Sequence, residues 1–112
     1  MRDYYLYLED MVNAMEAIER FVKGIDFDEF QHNDMISSAV IRKFEIIGEA
    51  AKNVPETVRS KYPELPWKEM SGMRDRLIHF YFGVKYDLVW HTIKDIIPAA
   101  KSGILKILTA GQ

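Results

Sequence analysis

Two apolar stripes at helical spacing decide what this chain can fold into. Tyr4, Leu8, Met11, Met15, Ile18 and Val22 recur at steps of 4, 3, 4, 3 and 4, which paints one face of a helix apolar until Gly24 ends it. Ile36, Val40, Phe44, Ile47, Ala51 and Val54 form a second stripe, where Gly48, Ala50 and Ala51 permit close approach of a neighbour. Asn33 and Asp34 are suited to cap this second helix, since their side chains accept hydrogen bonds from the free amides of a first turn. The acidic stretch Asp26-Phe27-Asp28-Glu29-Phe30 reads as the link between the two. Pro55 stops the second helix and opens a short one as its first residue.

Pro63 and Pro66 bracket a tight connection, with Trp67-Lys68-Glu69-Met70 as a single turn. A third helix is expected from about Met73 to Phe82, broken at Gly83. The last begins near Asp87 and carries Val89, Ile93, Ile96, Ile97, Ala100, Ile104 and Leu108. Pro98 falls inside it, cannot donate to the carbonyl four residues back, and should kink it. No run alternates with period two long enough for a strand, and there is no internal repeat. The expected fold is all-α, a small antiparallel bundle of four to five helices in one domain spanning residues 1–112.

Composition agrees with a folded domain of that kind. The chain has 112 residues, 48% hydrophobic and 29% charged, and at this size folding hides roughly two-thirds of the unfolded surface. Cysteine is absent, which removes disulfides, thiol nucleophiles and Cys-type zinc sites. His32, His79 and His91 lack the spacing that places two metal ligands on one helical face, so no metal or other cofactor is expected. The opening Met1-Arg2-Asp3-Tyr4-Tyr5 lacks a signal-peptide core, and no segment approaches the length of apolar sequence that spans a membrane. The expectation is a cytoplasmic protein with no membrane partner.

The formal net charge of −2 argues against coating nucleic acid by charge alone. The sum hides a split. Residues 1–34 carry three Lys/Arg against nine Asp/Glu, whereas residues 35–112 carry twelve against eight. A two-sided surface and a scatter of charges over solvated helix faces both fit those counts.

Chemistry concentrates in Met73-Arg74-Asp75-Arg76-Leu77-Ile78-His79-Phe80-Tyr81-Phe82-Gly83. Arginine presents a rigid fork of donors that matches phosphate oxygens and stays charged; histidine exchanges protons near neutrality. The pair suits phosphodiester cleavage without metal, the imidazole taking the ribose 2′-OH proton and the guanidinium stabilising charge at phosphorus. At about 100° per residue, however, His79 lies roughly 140° from Arg74 on an ideal helix. Spacing alone pairs His79 with Asp75 or Arg76, and places Arg74 on the stripe of Tyr81. Arg74 reaches His79 only through its long side chain, an irregular helix start near Gly72, or a second copy of the chain. A surface charge cluster with a half-buried histidine is the competing reading.

Arg74-x4-His79-x-Tyr81 resembles the R-x4-H-x-Y motif of HEPN-domain proteins, specifically the HepT-like branch. The likeness runs over the whole chain, as a single HepT-like domain. It takes in the Tyr4-Leu pattern at the start, Ile47-Gly48-Glu49-Ala50-Ala51, the Trp67…Met73-Arg74-Asp75 approach, and Val84-x-Tyr86-Asp87-x-Val89-Trp90. The resemblance implies a toxin of a toxin–antitoxin pair: an all-α homodimer with two motif copies facing one cleft, cleaving RNA without metal. Residues matching Arg74 and His79 would be catalytic. The cognate antitoxin would be a minimal nucleotidyltransferase that silences the nuclease by AMPylation of the tyrosine matching Tyr81.

Other residues carry paired readings. Asp75 either orients His79 or forms a helix ion pair, and Arg76 is a second phosphate contact or a solvated charge. Glu45 and Glu49, four apart on one helix, resemble an acid/base pair, but glycosidase carboxylates must flank a bond across a cleft; Glu49 is read instead as a partner for an arginine of the neighbouring helix. Trp67 and Trp90 are either base-stacking platforms or, on the favoured reading, core or interface residues. His32 and His91 read as structural or exposed, and Tyr4, Tyr5 and Tyr7 as packing or a dimer surface. The alternative function is a non-catalytic helical adaptor that binds nucleotide or a nucleotidyltransferase.

Overall fold

Capping chemistry starts the second and third helices of the fold. The computed structural model describes residues 3–79 and 85–110, with side chains described for 4–73 and 85–110. Asp26 accepts a hydrogen bond from the Glu29 amide at 2.9 Å, and Asn33 accepts one from the Ile36 amide at 3.0 Å. The elements in order are α1 (Asp3–Phe21), α2 (Phe27–His32), α3 (Asp34–Asn53), α4 (Glu56–Arg59), α5 (Trp67–His79), α6 (Tyr86–His91), a π-helical turn (Thr92–Ile96) and α7 (Ile97–Ala110). No strand occurs among the described residues. The all-α bundle expected from the apolar stripes is the architecture found.

The central helix is α3, packed on one side by α1 and on another by α5, while α1 also packs on α7. Leu8, Met11, Met15 and Ile18 from α1 meet Val40, Phe44, Ile47 and Ala51 from α3, all 2% exposed or less. Met70 and Met73 of α5 and Ile97, Ala100, Ile104 and Ile107 of α7 complete the core. Gly24, with φ of +79°, ends α1 in the left-handed region that glycine enters without a steric penalty.

Three local expectations are corrected. The acidic stretch after Gly24 is itself a helix, because Asp26 caps it, Asp28 and Glu29 favour its positive end, and Phe30 is fully buried. Pro55 sits one place earlier than expected, at the cap of α4, where its carbonyl accepts from Val58 and Arg59. The single turn at Trp67 does not stand apart from the third helix: α5 runs unbroken from Trp67 through Gly72. Pro66 accepts the Met70 amide at 3.0 Å, and the Trp67 indole donates to the Tyr62 carbonyl at 2.8 Å, which pins the helix start six residues earlier than Met73. The expected break at Gly83 lies outside the described residues.

Pro98, expected to disturb its helix, falls at the start of α7. Its effect appears as the π turn just before it, in which the Ile97 amide donates to the Thr92 carbonyl. Widening the turn moves the carbonyls that a proline in the next turn would clash with or leave unpaired. Thr92 and Ile93 are buried side by side at the start of the turn, at 5% and 4% exposed, and Ile97 is buried after it, while Ile96 is only half-buried. Thr92 satisfies its hydroxyl by donating to the Leu88 carbonyl at 2.9 Å.

Candidate active site

Arg74, Asp75, Arg76 and His79 all lie on the backbone of α5, and their side chains are outside the described residues, as is the whole of Tyr81. What the structure does establish is how the helix that carries them is held. Met70 and Met73 are 3% and 8% exposed, and they border one small internal void with Met15, Phe44, Ile47 and Ile97. That packing sets the rotation of α5 one residue before Arg74. Because α5 is regular through Gly72 to His79, the irregular helix start that would have swung Arg74 toward His79 is ruled out. A reaching side chain and a second copy of the chain are the routes left.

Glu49 is exposed on α3 and lines a cleft of about 410 Å³ between α1 and α3. Tyr7 and Asp10 come from α1; Arg42, Glu45, Glu49 and Asn53 come from α3. The α3 residues fall at i, i+3, i+7 and i+11, one stripe of the helix turned away from its buried face. Ile46 and Ala50 form the apolar floor. The cleft escaped the sequence reading because Tyr7 and Asp10 are some forty residues from their neighbours across it; the one available signal was the Glu45/Glu49 spacing. Among the described residues, no side-chain hydrogen bond or ion pair engages Tyr7, Asp10, Arg42 or Glu45. Asn53 donates to the Glu49 carbonyl at 2.9 Å.

The remaining candidates divide cleanly. Trp67 is 7% exposed and hydrogen-bonded through its indole nitrogen, a core residue. Trp90 is half-buried against Phe30, with ring centroids 5.2 Å apart, and carries the Lys94 ammonium 4.7 Å above its ring. Neither tryptophan presents an open face for a base. His32 and His91 are exposed and sit beside Asp28 and Asp95 at 3.4 and 2.6 Å. Tyr4 and Tyr5 pack edge to face at 4.8 Å and lie half-buried against the core.

Comparison with known proteins bears on the whole chain. Residues 11–107 match the family model described as ribonuclease HepT-like. A Methanocaldococcus jannaschii protein, named provisionally as an RNase, is 49% identical over 107 residues, covering 96% of this chain and 92% of its own. A second protein of that organism with the same provisional name is 47% identical, over 96% of this chain and 88% of its own. A Thermococcus cleftensis protein named probable ribonuclease HepT is 46% identical over 95% of this chain and 96% of its own. No solved structure gives a significant match. No described helix is long and apolar enough to cross a membrane.

Proposed function

The chain belongs to the HepT-like ribonuclease family, and on that footing we propose that it is a metal-independent endoribonuclease toxin, acting as a homodimer in the cytoplasm. The observation that carries the reading is the intact Arg74-x4-His79-x-Tyr81 motif inside a family match that covers residues 11–107. His79 takes the proton of a ribose 2′-OH; the freed oxygen attacks the adjacent phosphorus, and the bond from phosphorus to the 5′-oxygen breaks. The products are a 2′,3′-cyclic phosphate and a 5′-hydroxyl, the latter taking up a proton in turn. Arg74 holds the non-bridging oxygens and opposes the charge that grows there. Two chains facing each other bring His79 of one near Arg74 of the other, which answers the angular separation on a regular α5. Asp75, Arg76 and Glu49 stand as supporting groups for that centre.

The partner in this reading is a minimal nucleotidyltransferase antitoxin that transfers AMP to Tyr81. An adenylylated Tyr81 carries anionic phosphate two residues from His79, where it competes for the guanidinium and repels incoming backbone.

The test is incubation of the purified chain with RNA in EDTA. Arg74→Ala and His79→Ala are each expected to lower the cleavage rate by about 10²-fold or more, with unchanged circular dichroism. Absence of cleavage by every form, together with tight binding of the nucleotidyltransferase, would establish the adaptor reading instead. The net charge of −2 and the carboxylates around Glu49 are what favour that second reading.

A further inference from the structure

The cleft between α1 and α3 has the lining of a nucleobase site, and we infer that it holds one unstacked base of the RNA, guanine in preference to uracil. The inference rests on the ribonuclease reading for its ligand class and goes beyond it in naming where and how a base is read. The volume, about 410 Å³, falls in the range of small-molecule pockets. Ile46 and Ala50 line it with apolar surface, and so does a half-buried tyrosine, Tyr7, whose ring is the kind of surface on which a base stacks.

Charge decides which part of a nucleotide enters. Glu49 aside, two carboxylates, Asp10 and Glu45, line the cleft with one guanidinium, Arg42. That balance repels a phosphate and admits a neutral base, so the backbone stays outside and the base points in. Carboxylates only accept hydrogen bonds at neutral pH, and a guanidinium only donates. Guanine meets both at once: its N1–H and N2–H₂ donate to the half-buried Glu45 carboxylate, and its O6 and N7 accept from Arg42, three residues away on the same helix. Uracil has a single N–H donor flanked by carbonyls and leaves the carboxylate poorly matched. Neither Glu45 nor Arg42 is engaged by another described side chain, so neither interaction has to be broken first.

The experiment needs no cleavage. Guanosine, cytidine and uridine 5′-monophosphates are titrated separately into the full-length protein, with binding followed by amide chemical shifts. Guanosine monophosphate is expected to saturate, shifting resonances around Tyr7 and Arg42, and to bind at least about tenfold more tightly than the uridine nucleotide. Glu45→Gln, at a half-exposed position, should erase that preference, and Tyr7→Ala should weaken all three, each with a melting curve to show the fold intact. Equal binding of uridine and guanosine nucleotides, no saturable binding, or an unchanged preference in Glu45→Gln would overturn the inference. So would burial of the cleft between two copies of the chain. RNA cleavage with no response to any nucleotide removes the base site and leaves the ribonuclease reading standing. Nucleotide binding as described with no cleavage by any form removes the ribonuclease reading and leaves the base site.

Discussion

Arg74 and His79 lie in the second half of a helix whose first half is anchored in the core. Met70 and Met73 bury the first half of α5 against Phe44 and Ile47, so the second half projects from a fixed base. Tyr81, two residues beyond His79, is the place where modification and catalysis are expected to separate. Tyr81→Phe removes only the phenolic oxygen, so RNA cleavage should persist at near the parent rate while transfer of AMP by the nucleotidyltransferase is lost, as read by mass spectrometry. Normal silencing of that variant would place the switch elsewhere. Trp67 offers a purely structural contrast. Trp67→Phe forfeits the hydrogen bond to the Tyr62 carbonyl and part of the buried ring, and should cost about 1–3 kcal/mol in urea unfolding. Cleavage at a temperature where the variant is folded should change little.

Among the elements, α3 touches most of the core, and its start depends on one side chain. Asn33→Ala removes the acceptor for the Ile36 amide and should lower stability by about 1 kcal/mol, measured by chemical denaturation. That cap was legible in the sequence, as were both long stripes, because each is a local pattern that burial then rewards. What was not legible shares a physical cause. Asp26 reads as part of a charged linker until Phe30 is seen to be fully buried and to hold α2 against the bundle. The start of α5 was missed because Pro66 and Gly72 argue locally for breaks, while the buried Trp67 and its hydrogen bond, tertiary features, override them. Pro98 was legible as a disturbance of its helix, and a π turn stands just before it. At the candidate site, the motif was plain from residue spacing, whereas the cleft across α1 and α3 needed the two helices side by side before Tyr7 and Glu45 became neighbours.

For the molecule as a whole, the chain's two ends are tied by a pair of charges far apart in sequence. The Lys101 ammonium of α7 donates to the Glu19 carboxylate of α1 at 2.6 Å, with side chains 25% and 37% exposed. Partial exposure limits its worth: Lys101→Met should lower stability by no more than about 1 kcal/mol, and the difference from the parent should shrink in high salt. Because methionine keeps most of the apolar stem, a larger loss that salt does not reduce would mean that the ion pair is worth more than its exposure allows. The acidic first third and basic remainder of the sequence are thus joined at this contact, and elsewhere the acidic side contributes Asp10 to the cleft beside Glu45 and Glu49.

The π turn between α6 and α7 has a consequence for breathing motions. A five-residue loop of hydrogen bonding is less well aligned than its four-residue counterpart, and Pro98 supplies no amide to reinforce it. Deuterium should therefore enter the backbone around Ile96 and Ile97 sooner than around Ile104, and the long carboxy-terminal rod should exchange as two separate stretches. The stretch on the near side of that seam is the one that follows the motif in sequence.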